Sequence, residues 1–131
     1  MGRVPPSTPA GPDPLDRRTC YALLAGAPIG RLVFTEGALP AIEPVRFHLD
    51  GDDVIVGLGP ATALPPVDRL GVVAFQADGY DETGRTGWCV VTIGRATADE
   101  HGLRIRPEIV RGRRIGPLLA PVPQDTAVGL P

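Results

Sequence analysis

In DPLDRRTCYALLAG the apolar positions recur with a helical period, so that Leu15, Thr19, Leu23 and Ala27 share one face with Cys20 and Leu24. This predicts one amphipathic helix of about three turns. Asp13 can cap it, Pro14 fits its first position, Asp16 places an acid in its first turn, and Gly26 ends it. From Ile29 the period drops to two. IGRLVFT, LPAIEPVRFHLD and DVIVGL alternate, separated by Glu36-Gly37 and by Asp50-Gly51-Asp52, which is hairpin chemistry. PATALPPVDRL interrupts the pattern. It resumes in GVVAFQAD, in WCVVTIGRATA after the polar loop GYDETGRT, and in LRIRPEIVRGRRI. Six short strands with tight turns and one leading helix predict a mainly β fold, a six-stranded antiparallel barrel with an N-terminal helix, because closure removes the edges of a small sheet.

At 131 residues the chain is long enough for one domain and too short for two of ordinary size. Nine of the 16 prolines fall in the first 14 or last 15 residues, so residues 1–13 and 116–131 read as proline-rich tails around a domain at 14–115. A net charge of -2 argues against nucleic acid as a partner, which needs a concentrated basic field. All 13 basic residues are arginine, which removes every candidate for a lysine Schiff base. The two cysteines, Cys20 and Cys89, and the two histidines, His48 and His101, lack metal-type spacing, and no metal site is expected. No signal peptide and no apolar run of about 20 residues is visible, so a cytoplasmic protein with reduced thiols and no membrane contact is expected.

The order of AGAPIGRLVF, ALPAIEPVRF, GPATAL, VVAFQAD, RTGWCVVTIGRA and IVRGRRI resembles the pyridoxamine 5'-phosphate oxidase-like, FMN-binding split-barrel family in its small actinobacterial-type branch. The resemblance covers roughly Leu15 to Ile115. It implies a split β-barrel, a homodimer, and FMN held in grooves between two subunits for redox chemistry on a small molecule. It places Val45, Arg46 and Phe47 along the flavin ring through backbone groups. It places Gly57, Leu58, Thr62, Ala63 and Leu64 around the ribityl phosphate. The strand opened by Gly87, Trp88 and Cys89 is implied to complete the cleft, often from the other subunit. No catalytic residue is assigned. A strand tryptophan also commonly fills a barrel end or a dimer seam, burying ~150–250 Å², and a cysteine there is commonly a small apolar filler.

The chain departs from the family pattern where the phosphate would be held. Glycine at 57, leucine at 58 and alanine at 63 stand in place of an arginine, a hydroxyl residue and a lysine, so Thr62 alone keeps a polar side chain. Hydrogen bonds to charged groups are worth about 1.5–3 kcal/mol each, so two lost cations correspond to roughly two to four decades of affinity. Arg46 or the arginines of LRIRPEIVRGRRI are candidates to offset this, although Arg104, Arg106, Arg111, Arg113 and Arg114 also fit a solvated strand face. The link from Thr97 to Gly102 is short where relatives carry a helical insertion, and Pro65 and Pro66 break the helix expected after the phosphate segment. Two readings stay open: an FMN-dependent oxidoreductase-like protein with a degenerate anchor, or a flavin-free split barrel with no cofactor that binds or transforms another small molecule, as in specialised metabolism.

Overall fold

The computed structural model describes residues 13–60 and 62–116. The proline-rich tails, apart from Asp13 and Gly116, lie outside the described residues. The chain runs β1 (Pro14–Leu15), α1 (Arg17–Gly26), β2 (Gly30–Glu36), β3 (Leu39–Asp50), β4 (Asp53–Gly57), a 3₁₀ turn (Val67–Arg69), β5 (Val72–Tyr80), β6 (Gly87–Asp99) and β7 (Gly102–Ile115). The strands follow the order β1-β7-β4-β3-β2-β5-β6, all antiparallel, and a β6–β7 pairing closes the six long ones into a ring.

All six expected strands form, because each alternates between a buried and an exposed face. In β2, for example, Leu32 and Phe34 point inward while Arg31 and Thr35 point out. The start of the helix differs from the expectation. Asp16, not Asp13, is the cap: its side chain accepts from the Thr19 N–H at 2.8 Å. Pro14 and Leu15 instead pair with Arg113 and Gly112 of β7 as a seventh, two-residue strand. Two Asp-containing starts competed, and the sheet edge captured the first.

The helix plugs one end of the ring through Cys20 and Leu24, both buried. Phe75 fills the centre, fully buried, with its ring 4.6 Å from that of Phe47. Gly30 is what admits it, since a Cβ there would collide with the Phe75 ring. At the hairpin of β3 and β4, Arg104 reaches Asp53 at 2.8 Å, Asp50 at 2.9 Å and Asp99 at 3.1 Å. Arg104 lies on the outer face of β7, between the buried Leu103 and Ile105, and there ties three strand ends together. Among the described residues no helix is long and apolar enough to cross a membrane.

Two features of the sheet position the site. The first is a split in the ring. Residues 39–45 of β3 pair only with β2, and residues 46–50 pair only with β4. The first half of β3 therefore presents unpaired main-chain groups on the edge from which β4 has departed. The second is an apolar row across the outer face, where Ile42, Val33, Ala74, Ile93 and Ile109 lie in register on five consecutive strands. Ile42 is 62% exposed and Ile109 39%.

Candidate functional site

At the split, β3 and the chain leaving β4 enclose an open groove of about 480 Å³. Its walls include Pro44, Val45 and Arg46 on one side and Gly57, Leu58 and Thr62 on the other. The volume lies in the range of small-molecule sites, roughly 300–1,000 Å³. The residues meet because Arg46 pairs with Gly57 across the two strands, after which the chain turns at residues 59–62. That turn is closed by the Thr62 N–H donating to the Gly59 carbonyl at 3.0 Å, and by the Gly59 N–H donating to the Thr62 hydroxyl oxygen at 3.2 Å. The Thr62 hydroxyl uses its oxygen as acceptor here, which leaves its proton for a ligand.

Electrostatically the groove is sparse and positive. Arg46 is exposed and makes no ion pair among the described residues. Leu58, 37% exposed, contributes an apolar wall. His101, in the short link between Thr97 and Gly102, also lines the groove. It arrives there because Gly57 pairs with Gly102, so the short β6–β7 turn sits directly against β4. Gly102 has φ of 143°, and a Cβ at that position would collide with the Val56 carbonyl oxygen. Asp99 holds the turn: it accepts from the His101 N–H at 3.1 Å, and this bond, with the Arg104 guanidinium, keeps its carboxyl below the ordinary carboxylate value.

Of the residues expected at the site, Val45, Arg46, Gly57, Leu58 and Thr62 are brought together in this groove. Phe47 turns inward against Phe75 and does not line the groove, and Leu64 packs on the core. Ala63 is exposed beside the turn. Trp88 and Cys89 lie elsewhere in the same chain. Neighbours on a strand face opposite ways. The Trp88 indole lies inward over Gly79, where a Cβ would come within 2.6 Å of Nε1, and it borders a separate open groove with Tyr80 and Arg114. There it does what a barrel-end tryptophan commonly does. Cys89 faces outward, within 3.5 Å of the Gln76 amide nitrogen. Among the described residues no three His, Cys, Asp or Glu side chains gather as a metal site requires.

The family model described as pyridoxamine 5'-phosphate oxidase matches residues 16–114. An uncharacterized protein of Mycobacterium tuberculosis is 39% identical over 128 residues, covering 77% of this chain and 84% of its own. The FAD binding protein from Mycobacterium smegmatis superposes with a TM-score of 0.63 at 28% identity, over 77% of this chain and 95% of that one. An FAD-binding protein from Mesorhizobium loti superposes with a TM-score of 0.60 at 19% identity, over 77% of this chain and 94% of that one, a likeness of fold alone.

Proposed function

Since the chain belongs to the pyridoxamine 5'-phosphate oxidase family, we propose that it is a flavin-binding, oxidoreductase-like protein whose split-side groove holds FMN. The observation that carries this reading is the groove itself. It joins a free strand edge at Pro44 and Val45, which suits the polar rim of a flat ring, to Arg46, Thr62 and His101, which suit an anionic ester. The donors present thus fit a flavin phosphate, although they are not those of the usual family segment. A similar protein that binds FAD supports a flavin as the occupant.

Bound there, flavin would supply hydride transfer to or from a small molecule. The chain's part is to bind and orient it. Main-chain groups of residues 44–46 fix the ring edge, Leu58 shields one side from water, and Arg46 and Thr62 fix the ester. Purified protein dialysed after exposure to FMN should remain yellow, and its melting temperature should rise with FMN concentration. Colourless protein with no rise at about millimolar FMN overturns the reading and favours a flavin-free groove, for which exposed Leu58 would be the main recognition surface.

The groove is open on its outer side, and we infer that a second copy covers it. The apolar row from Ile42 to Ile109 is the surface suited to a twofold partner, and such a partner's strand opened by Gly87, Trp88 and Cys89 is the candidate to close the groove. Ile42→Arg places a charge at the exposed β3 end of that row without touching the core. It should convert a dimer to a monomer by light scattering and leave the monomer folded. An unchanged mass for this variant would contradict the interface.

A further inference from the structure

We propose that Arg46 and His101 together form an anion-binding end of the groove for a phosphate ester, and that protonation of His101 sets its affinity. The two cations flank Gly57, the position whose family arginine is missing. Arg46 pairs with Gly57, and Gly57 pairs with Gly102, so one row across β3, β4 and β7 has Arg46 at one end and, at the other, the turn residue His101 that immediately precedes Gly102. Strands stand about 4.8 Å apart, which puts the backbones of the two flanking positions about 10 Å from each other, a gap that two side chains converging on one phosphate can span. The middle of the row is open: a Cβ on Gly57 would meet nothing closer than the Arg46 carbonyl oxygen at 3.8 Å. The Thr62 hydroxyl proton completes the set from the adjoining turn.

Of these donors only His101 is a histidine, the side-chain type that can gain a proton near neutral pH. The charged groups around it are few. Glu100 lies 3.3 Å from its Nε2, Asp99 accepts from its backbone N–H, and the His48 ring stands 6.5 Å away on β3. Arg104 is occupied by Asp50, Asp53 and Asp99, and Arg46 is on the far side of Gly57. Both side chains of the Glu100–His101 pair are largely exposed, at 82% and 66%, so their attraction is weak and an incoming dianion can replace the carboxylate. An anion whose own charge is constant in this range, such as sulfate or a diphosphate diester, should therefore bind more tightly as pH falls through the histidine range. The shortened β6–β7 link is what makes this possible, since it delivers His101 to β4.

The proposal rests on the flavin reading for the identity of the occupant, but not for the charge of the site, and the test separates the two. Sulfate, a dianion throughout this range, is titrated against the protein while its two histidines are followed by NMR. Sulfate should raise the His101 midpoint by about one pH unit and that of His48 by less, which corresponds to about ten-fold tighter sulfate binding to the protonated form. His101→Gln, an exposed turn substitution that should leave the melting temperature unchanged, identifies the signal. In parallel, FAD, whose diphosphate keeps its charge, should bind about ten-fold more tightly near pH 5.5 than near pH 8.5. Riboflavin, which lacks the ester, should show no such change, nor should FAD with His101→Gln. An unmoved His101 midpoint, or an FAD pH dependence that survives His101→Gln, overturns the proposal. If no flavin binds at any pH, the flavin reading fails and the sulfate titration alone decides the anion site.

Discussion

Phe75→Ala should cost about 3–5 kcal/mol of stability and lower the melting temperature by on the order of 10–20 °C. The ring is fully buried, touches Phe47, and occupies the space that Gly30 leaves open, so its removal opens a cavity at the centre of the ring of strands. Coupling to Gly30 makes the prediction sharper. Gly30→Ala alone should destabilise by about 1–3 kcal/mol, because its new methyl meets the ring. In the Phe75→Ala background the same change should be close to neutral, since the methyl then enters the cavity. Thermal melts of the four proteins check this. Additive losses would mean that the contact does not govern Gly30. Because Phe47 carries the inner face of the strand that forms the groove, flavin binding should weaken alongside stability in Phe75→Ala.

The second large effect concerns Arg46. Its guanidinium is exposed and without a carboxylate partner among the described residues, so its removal should leave the fold intact. A charge-assisted bond to phosphate is worth about 1.5–3 kcal/mol, so Arg46→Ala should weaken FMN binding by roughly ten- to a hundred-fold. Riboflavin, with the same ring and no phosphate, should be little affected. Ala63→Lys restores the cation that the family segment would carry, from an exposed position that tolerates a long side chain. Added to Arg46→Ala it should recover most of the lost FMN affinity and none for riboflavin. Fluorescence titrations with the two flavins check this. An equal loss for both ligands would assign Arg46 to the ring and not to the ester.

The strands were legible because this small barrel buries one face of each, and alternation such as that of LVF in β2 records that directly. The start of the helix was not. DPLD offers two capping aspartates three residues apart, and the choice went to Asp16 because Pro14 and Leu15 gain a β7 partner about 100 residues away. The meeting of Val45, Arg46, Gly57, Leu58 and Thr62 in one groove was legible through the resemblance, whereas Ala63 and Leu64 fall outside it. His101 was missed because its place depends on Gly57 pairing with Gly102, a long-range register that local pattern does not encode. One signal was available: the short link from Thr97 to Gly102 forces a tight turn whose tip must land beside a neighbouring strand. The separation of Trp88 from Cys89 was also readable, since adjacent strand residues cannot face the same groove. The strand carrying both reaches the Arg46 groove only if a second copy brings it there.

The most direct measurement is a crystal structure of the protein with FMN. The account predicts the ring alongside residues 44–46, the phosphate within hydrogen-bond reach of Arg46, Thr62 and His101, and a second copy closing the groove over the row from Ile42 to Ile109. FMN seated instead in the Trp88 groove of its own chain, with the Arg46 groove empty, would contradict it.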